Sequence, residues 1–437
     1  MEKIKRQVNE FLSSQGMYHG DISIEDTCGV FLSEMDKGLA GEKGSLAMLP
    51  TYIETEQEVP QDKPVIVMDA GGTNFRVASV RFKADGEPEI TEFKKFQMPG
   101  IEREVGKKEF FGTMAGYVRD LADRSDSVGF CFSYPIEMFP DKDGRALFFS
   151  KEIKAPEAAN QMIGRSMNEA IGELGISGEK HFVLLNDTVA TLLAGRGDSS
   201  GRRFDSFIGF ILGTGTNTAY VERNSNIPKA KDLDRTRSQI VNVESGGFGK
   251  APRGAIDLDL DAQSVSPGVH IFEKMISGAY LGPVCLATIR AGTQAGLISA
   301  SGAKQIATIT ETASKDISSF LSDPEGGDNP LSKALRDGAE QDLMTVYYLA
   351  DALLERAAKL TAVNLSSVAI KSGKGQNPCR PICIVAEGTT FYRLKSLRQK
   401  IEYYLKQYLV DQKHVYYEVV SIDNATLIGA AIAGLTN

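Results

Sequence analysis

The sequence predicts an α/β protein made of two related lobes. The first observation is a repeated segment of apolar strand, glycine-rich turn, Asn and second strand, which occurs as Val65-Ile-Val-Met-Asp-Ala-Gly-Gly-Thr-Asn-Phe-Arg-Val77 and again as Phe207-Ile-Gly-Phe-Ile-Leu-Gly-Thr-Gly-Thr-Asn-Thr-Ala-Tyr220. The second is an alternation of strand-like and helical periodicities, which is typical of α/β layering. The third is the length of 437 residues, which exceeds what a single hydrophobic core supports.

The first half of the chain contains the first repeat and ends in a linker. Apolar residues at helical spacing over residues 2–39 predict a helical lead-in, which a glycine-rich break ends. The elements that follow are a hairpin over 64–81, further strand to 96, a helix over 107–124, a strand over 127–133, a helix over 155–174, a buried strand over 181–185 and a helix from Val189. The polar, glycine-rich stretch 195–203 predicts the boundary between the lobes.

The second half begins with the second repeat and is richer in helices. The predicted elements are a strand over 239–243, helices over 271–292 and 343–363, a surface loop over 322–330, a strand over 381–386, a helix over 394–409, a strand over 415–420 and a small, apolar helix over 425–435. Small residues in this last helix would permit close packing at a hinge.

Composition excludes several function classes. A net charge of -8 without basic runs argues against a nucleic-acid partner. The chain has no apolar run that could cross a bilayer, and its first residues lack the apolar core of a signal peptide, so neither a membrane partner nor export is expected. The five cysteines are odd in number and sparse, which fits a reducing cytoplasm. Cys379 and Cys383 are interpreted as free thiols because no second pair accompanies them, and no protein-bound metal site is predicted.

The two glycine-rich turns are candidates for phosphate binding. Glycines let the backbone approach a ligand closely, and consecutive turn N–H groups form a concave site for anions. A single turn of this kind is weak evidence because it is common in ordinary hairpins. The pair, with Asp69 at the end of the first strand, points to one phosphate chain held between two lobes. An anionic substrate in an acidic chain also requires local ligands and a metal ion.

Three acids are candidates for chemistry. Asp187 follows a buried strand and opens a helix, where it could project into a cleft as a general base or simply cap the helix. Both interpretations remain open, and neither excludes the other. Glu244 and Glu273 could accept hydrogen bonds from sugar hydroxyls, although Glu273 viewed alone is most simply a solvated helix residue.

Taken together, the motifs resemble those of the hexokinase family of sugar kinases, a type found in eukaryotes and some bacteria, of which a bacterial member is expected. The resemblance covers most of the chain and follows the family's order. It rests on Ser45-Leu-Ala-Met-Leu-Pro-Thr-Tyr-Ile53, Asp69-Ala-Gly-Gly-Thr-Asn-Phe-Arg-Val77, Gly129-Phe-Cys-Phe-Ser-Tyr-Pro135, Leu185-Asn-Asp-Thr-Val-Ala-Thr-Leu-Leu193, Gly213-Thr-Gly-Thr-Asn217 and Phe272-Glu-Lys-Met-Ile-Ser-Gly278.

The resemblance implies a two-lobed, actin-like ATPase (ribonuclease H-like) fold with a cleft between the lobes. The small lobe would comprise residues 62–196 and 423–437, and the large lobe 1–61 and 197–422. The implied activity is transfer of the ATP γ-phosphoryl group to the 6-hydroxyl of a hexose, most simply glucose, feeding glycolysis. Mg²⁺ would accompany ATP, and the protein would be a cytoplasmic monomer or homodimer.

The resemblance also implies site residues. Asp187 would be the catalytic base, and Lys151 would lie near the transferred group. The implied hexose contacts are Ser133, Ser150, Lys151, Asn186, Asp187, Asn217, Glu244 and Glu273. The implied phosphate contacts are Asp69, Gly71, Gly72, Thr73, Asn74, Arg76, Gly213, Thr214, Gly215 and Thr216, with Gly388 and Thr389 near adenosine.

The chain departs from the family pattern at three places. The family usually has Thr-Lys-Gly-Phe where this chain has Ser150-Lys-Glu-Ile153, and Glu-Trp-Gly-Ala-Phe where it has Glu244-Ser-Gly-Gly-Phe248. Near adenosine, Ala386-Glu-Gly-Thr-Thr-Phe-Tyr392 matches Asp-Gly-Ser only loosely. These departures concern the preferences for sugar and nucleotide and leave the phosphoryl-transfer motifs intact.

Two rival functions are compatible with this pattern to different degrees. A sugar-sensing regulator that has lost turnover is mildly favoured by Glu152 and Ser245, while retention of Asp187 argues against it. A repressor-type sugar kinase would need a Cys-rich zinc loop, which is missing from the sequence. Neither a P-loop nor an Asp-Phe-Gly motif occurs, which excludes the corresponding kinase classes.

Overall fold

The computed structural model describes residues 1–149, 153–197, 201–231 and 233–437. Its strands are β1 Leu49–Pro50, β2 Val65–Gly71, β3 Asn74–Phe82, β4 Pro88–Gln97, β5 Ser127–Phe132, β6 Ile136–Met138, β7 Gly144–Ala146, β8 His181–Leu185, β9 Ser206–Leu212, β10 Thr216–Arg223, β11 Ser238–Asn242, β12 Ile382–Glu387 and β13 Tyr417–Val420. Its helices are α1 Glu2–Ser14, α2 Ile24–Ala40, α3 Lys107–Val118, α4 Ile163–Glu173, α5 Asp187–Ala194, α6 Ala255–Gln263, α7 Ile271–Ile276, α8 Leu281–Gln294, α9 Ala300–Ile306, α10 Ser314–Ser322, α11 Pro330–Leu335, α12 Glu340–Ser372, α13 Thr389–Arg393, α14 Leu397–Leu405 and α15 Ala425–Thr436.

Two sheets with the same internal topology organise the chain. The five-stranded sheet has the order β4-β3-β2-β5-β8, and the six-stranded sheet has the order β1-β11-β10-β9-β12-β13. In each, the first strand of the repeated hairpin pairs antiparallel with its hairpin partner and parallel with a later strand. The repeated sequence segment therefore corresponds to a structural duplication, with β1 added at one edge.

Both sheets are covered on both faces, which explains their nearly continuous apolar strands. In β2, Ile66 and Met68 pack into a core with α3 and α4, while Val65 and Val67 face a second core that contains α5 and α15. In β9, Ile208 and Phe210 pack into a core formed largely by α2, α12 and α14. No helix in the described part of the chain is long and apolar enough to cross a bilayer.

Each half contributes a helix to the other half. Helix α5 follows β8 of the five-stranded sheet but packs on β9, β10 and β12, whereas α15 follows β13 and packs on β2, β5 and β8. The two helices also pack against each other. Their amino-terminal ends therefore lie between the sheets, where the repeated turns also lie.

Several predicted elements have different limits in the structure. The helical lead-in is two helices, α1 and α2, joined by a turn around His19. The helix predicted over 155–174 begins at Ile163, since Asn160 has a left-handed φ of 61°. The long helix predicted over 343–363 is correct in kind but extends from Glu340 to Ser372.

Two further predictions are wrong in part. The helix predicted over 271–292 is two helices, α7 and α8, because Ser277 is extended, with a ψ of 164°, and the next residue, Gly278, donates its N–H to the Gly213 carbonyl at 2.8 Å. The loop predicted over 322–330 is not wholly at the surface: Asn329 is 1% exposed and caps α11 by accepting from the Ser332 N–H at 2.9 Å. The sequence patterns did not predict helices α6, α9, α10 and α11.

Candidate active site

The first glycine-rich turn, between β2 and β3, adjoins a buried acid. Asp69 is 2% exposed, forms an ion pair with Arg76 across the hairpin, and accepts a hydrogen bond of 2.9 Å from Thr426 Oγ1 at the start of α15. Burial raises the pKa of Asp69, and the Arg76 charge opposes that rise. A methyl group at Gly71 would lie 3.5 Å from the Ser133 hydroxyl, so Ser133 at the end of β5 contacts this turn.

The outer part of the first turn is open to solvent. Gly72 has a φ of 56°, and its carbonyl accepts a hydrogen bond from the Tyr134 hydroxyl. Thr73 and Asn74 are exposed, with 3.5 Å between Thr73 Oγ1 and Asn74 Nδ2. These groups are therefore available to a ligand, as a phosphate-binding turn requires.

Asp187 and its neighbour Asn186 have separate roles at the start of α5. Asn186 is the N-cap residue, and its Oδ1 accepts the Thr188 N–H at 2.9 Å. Asp187 directs Oδ1 toward the Thr188 N–H at 2.7 Å and the Thr188 hydroxyl at 3.2 Å. No described residue donates a hydrogen bond to its second oxygen, Oδ2. The helix thus has a cap without Asp187, while one oxygen of Asp187 remains for another partner.

The surroundings of Asp187 make it a stronger base than an ordinary aspartate. Burial raises its pKa to about 6; hydrogen bonds from Thr188 oppose this, and the negative charges of Asp69 and Glu244 add to the rise. At neutral pH the group is still ionised. A carboxylate with a pKa close to the working pH accepts a proton readily in a reaction step.

The second glycine-rich turn, between β9 and β10, packs tightly against Glu273. Glu273 Oε2 accepts the Thr216 N–H at 3.0 Å, and a methyl group at Gly215 would lie 2.5 Å from the same oxygen. The Gly213 carbonyl accepts from the Gly278 N–H at 2.8 Å and from Thr390 Oγ1 at 2.7 Å. A side chain at position 215 would therefore push the Glu273 carboxylate away from the Thr216 N–H.

Glu244 projects from a strained backbone position into a set of amide side chains. Its φ is 56°, in the left-handed region, which is uncommon for a residue with a side chain. Glu244 Oε1 accepts from Asn242 Nδ2 at 2.8 Å and from Asn217 Nδ2 at 3.3 Å. Burial raises the pKa of Glu244; the Glu273 charge adds to the rise, while the Asn242 hydrogen bond and His270 oppose it.

The negative charges of these acids act on one another. Asp187 is influenced by both Asp69 and Glu244, and Glu244 is influenced by Glu273. The first turn, the start of α5 and the second turn thus contribute acids whose charges interact, and the surface that carries these acids is called the acidic cleft. Such a surface offers acceptors to hydroxyl groups and repels an anion that lacks cations of its own.

Beside the second turn lies a cavity of about 410 Å³. It is lined in part by Thr214, Gly278, Ser314, Lys315, Thr389 and Arg393. The predicted adenosine residue Thr389 is thus adjacent to the predicted phosphate turn, and the predicted Gly388 contacts Gly213 from the other side. Sequence reasoning missed Ser314, Lys315 and Arg393, which no motif marks.

Two predicted site residues, Ser150 and Lys151, lie outside the described residues, as does Glu152. Among the residues that the structure does describe, no group of three or more His, Cys, Asp or Glu side chains could hold a metal ion. Asn242 is a further residue of the cleft that was not predicted, although its position two residues before Glu244 on β11 could have indicated it.

Comparisons with known proteins identify the family of this chain. Two family models, both described as hexokinase, match residues 14–196 and 207–436. A glucokinase of Aspergillus niger is 27% identical over 397 residues, covering 79% of this chain and 80% of the relative. Hexokinase-7 of Oryza sativa subsp. japonica is 27% identical over 432 residues, covering 94% of this chain and 92% of the relative.

Structural similarity supports the same fold. A hexokinase from Schistosoma mansoni complexed with glucose superposes with a TM-score of 0.77 at 21% identity and covers 99% of both chains. The predicted two-lobed, actin-like α/β fold is confirmed. The chain belongs to the hexokinase family and is a sugar kinase that transfers a phosphoryl group from ATP to a hexose.

Proposed function

We propose that this protein transfers the γ-phosphoryl group of MgATP to the 6-hydroxyl of a hexose, with glucose preferred, and that Asp187 is its catalytic base. The observation that carries this proposal is the position of Asp187 between the two glycine-rich turns, with Oδ2 unpartnered among the described residues and the pKa raised to about 6. Glucose is favoured because one relative is named a glucokinase and a structural neighbour was solved with glucose.

The base acts by accepting one proton. The Thr188 N–H and hydroxyl fix Asp187 Oδ1. Oδ2 is therefore left to accept the proton of the sugar 6-hydroxyl while the oxygen of that hydroxyl attacks phosphorus. The O–H bond breaks, an O–P bond forms, and ADP leaves with the electrons of the broken P–O bond. Such proton transfer contributes roughly 10²–10⁴-fold to the rate.

Positioning of the phosphates is the second requirement of phosphoryl transfer. The N–H groups and hydroxyls of the turns at Gly71 to Asn74 and Gly213 to Thr216 would hold the phosphates, with Lys151 near the transferred group. Mg²⁺ would enter as part of the substrate, bridging phosphate oxygens, and would neutralise their charge near the acidic cleft. The cavity beside Thr214 and Thr389 would take adenosine.

Hexose recognition would use the remaining acids and amides. Glu244 and Glu273 would accept hydrogen bonds from ring hydroxyls. Asn217 would contact the sugar beside them, with its amide held by donation to Asn242 Oδ1 at 2.8 Å and to Glu244 Oε1 at 3.3 Å. The further contacts proposed are Ser133, Ser150, Lys151 and Asn186. Because Glu244 already receives two amide N–H groups, its orientation is set before the sugar arrives, which reduces the entropy that binding must overcome.

We propose that residues 62–196 and 423–437 form the small lobe and that residues 1–61 and 197–422 form the large lobe. Closure of the cleft on the sugar would exclude water from the γ-phosphate. The expected setting is the cytoplasm, with the protein a monomer or homodimer that acts on small molecules, without a nucleic-acid or membrane partner.

A phosphorylation assay over a panel of hexoses with ATP and Mg²⁺ tests this function. Glucose is expected to give the highest kcat/KM, with turnover that requires the divalent ion. A folded protein that binds glucose in calorimetry but phosphorylates no hexose would overturn the kinase proposal and favour the sugar-sensing regulator.

A further inference from the structure

A polar cluster is buried directly beneath the proposed sugar contacts. It consists of Thr218 on β10, Ser245 after β11 and Asn364 in the middle of α12, and each of these residues is 0% exposed. Asn364 Nδ2 lies 2.7 Å from Thr218 Oγ1 and 3.4 Å from Ser245 Oγ, and the two hydroxyl oxygens are 3.1 Å apart. The cluster thus ties the long helix to both segments that carry sugar ligands.

The cluster is joined to Asn217 through the backbone. Asn217 Oδ1 accepts the N–H of Thr218 at 2.7 Å and the N–H of Ser245 at 3.4 Å. This arrangement fixes the amide, whose Nδ2 donates to Asn242 Oδ1 at 2.8 Å and to Glu244 Oε1 at 3.3 Å. Two proposed sugar ligands therefore take their orientation from residues whose side chains Asn364 holds.

The cost of this cluster argues that it is retained for more than stability. Asn364 Oδ1 has no hydrogen-bond partner among the described residues. A buried polar atom without a partner destabilises a fold, whereas an apolar side chain of similar size would avoid that penalty.

We propose that Asn364 is a positioning residue for hexose binding: through Thr218 and Ser245 it orients Asn217 and Glu244 without touching the sugar. This inference rests on the proposed role of Asn217 and Glu244 as hexose contacts. It predicts that a substitution in α12 changes hexose affinity selectively, because the nucleotide turn and its cavity use other partners.

The test compares Asn364→Ala with Asn364→Leu, which removes the amide but keeps most of its volume. In both variants we expect the Kd for glucose, measured by calorimetry, to rise roughly three- to tenfold, the effect of losing a buried hydrogen bond. The KM for ATP should stay within about twofold of the parent value, because the proposed ATP contacts are unchanged in these variants. A merely structural residue would not produce this split between the two substrates.

Ser366→Ala is the matched control. Ser366 lies on the same helix and is 0% exposed, and its hydroxyl has no partner among the described residues, so its removal should leave glucose affinity unchanged. Equal weakening by Ser366→Ala, or unchanged glucose affinity in both Asn364 variants, would overturn the inference. If the Asn364 variants do not fold, Thr218→Val takes their place, with the same expected result and the same overturning result.

Glu244→Gln, measured in parallel, separates this inference from the proposed function. Weak glucose binding in Glu244→Gln together with normal binding in the Asn364 variants would overturn only the positioning role. Normal glucose binding in Glu244→Gln would instead overturn the assignment of the sugar site.

Discussion

Gly429 of α15 lies directly against the backbone carbonyl of Ala190 in α5, where an added methyl group would come within 1.8 Å of the carbonyl oxygen. The sheets approach these helices equally closely. A methyl group at Gly129 would lie 1.8 Å from the Ala430 carbonyl oxygen, and one at Gly209 would lie 2.2 Å from that of Thr188. The layer between the two sheets is therefore packed backbone to backbone, and it is continuous with the helix start that carries Asp187.

We expect Gly429→Ala to destabilise the protein by about 1–3 kcal/mol, because the methyl group must push α15 away from α5. Thermal unfolding should show a clearly lower Tm. Since the start of α5 carries Asp187, the same displacement should also reduce kcat.

Gly116→Ala is the control for this change. Gly116 lies in the interior of α3, is exposed, and has open space where a methyl group would point. Alanine is a better helix former there by about 0.5–1 kcal/mol, so stability should be equal or higher and activity unchanged. A Gly429→Ala protein as stable as Gly116→Ala would contradict the close packing described above.

Glucose binding should close the cleft. The proposed ligands are attached to both sheets, with Ser133 and Asp187 following strands of the five-stranded sheet and Asn217 and Glu244 on or after strands of the six-stranded sheet. One small sugar can satisfy both sets only if they approach each other. Small-angle scattering should show a smaller radius of gyration with saturating glucose than without, and an unchanged radius would count against a hinged sugar site.

Glu244→Gln and Glu273→Gln should each weaken glucose binding by about 1–3 kcal/mol, because a charged acceptor of sugar hydroxyls becomes neutral. The KM for ATP should change less. Calorimetry with glucose and initial rates at varied ATP measure the two effects separately, and intact sugar binding in both variants would remove these glutamates from the site.

Glu222→Gln provides the control for loss of a buried carboxylate. Glu222 is 4% exposed on β10 and accepts hydrogen bonds from the Tyr220 hydroxyl and Asn226 Nδ2, outside the acidic cleft. This variant should lose stability but keep its affinity for glucose. A comparable loss of sugar affinity would indicate that the effects at 244 and 273 are indirect.

The sequence predicted the duplicated hairpins correctly because their determinants are local. A run of apolar residues, glycines at the turn and the Thr-Asn pair that follows all lie within about a dozen positions in each copy. Asp187, Glu244 and Glu273 were named as candidates from similarly local motifs. Whether these side chains converge depends on how the two halves pack, and sequence periodicity carries no information about that packing.

The residues that were missed act over long sequence separations. Asn364 contacts Thr218, 146 positions earlier in the chain, and a single Asn in an apolar helix gives no sign of that partner. The break between α7 and α8 also involves a distant partner, since the chain becomes extended at Ser277 and the Gly278 N–H donates to the Gly213 carbonyl. Asn364 stays helical, so only its partner is hidden from the sequence pattern, whereas at Gly278 a tertiary hydrogen bond accompanies a break in that pattern.

The kcat/KM for glucose should fall as the pH drops through about 6, the value to which burial raises the pKa of Asp187 in the free protein. Below that pH the base is protonated and cannot accept the hydroxyl proton, so kcat/KM should decrease about tenfold per pH unit. The pH profile of kcat/KM for glucose measures this, because it reports the groups of the free enzyme. A profile that stays flat down to pH about 4.5 would show that no group with this pKa limits the reaction.

Asp187→Asn separates catalysis from helix capping. The amide keeps the size of the side chain and an oxygen for the Thr188 N–H, and Asn186 still supplies the N-cap. We therefore expect a folded protein with near-normal glucose affinity and a kcat lower by roughly 10²–10⁴-fold. Asp316→Asn, which alters a structural acid at the start of α10 that accepts the Ala313 N–H at 2.8 Å, should keep full activity.

The stability of the same variant gives an independent check with a defined sign. Asp187 has a pKa of about 6 in the folded protein against an ordinary value of 3.8 for aspartate, so between these pH values the folded state holds a proton that the unfolded state releases. The contribution of Asp187 to stability is thus present below pH 4 and is lost as the pH rises through 6. The Asp187→Asn variant has no carboxyl at this position and does not lose stability in this way. The Tm of the variant minus that of the parent should therefore increase between pH 4 and pH 7. A Tm difference that does not change with pH, together with normal turnover, would assign Asp187 a purely structural role.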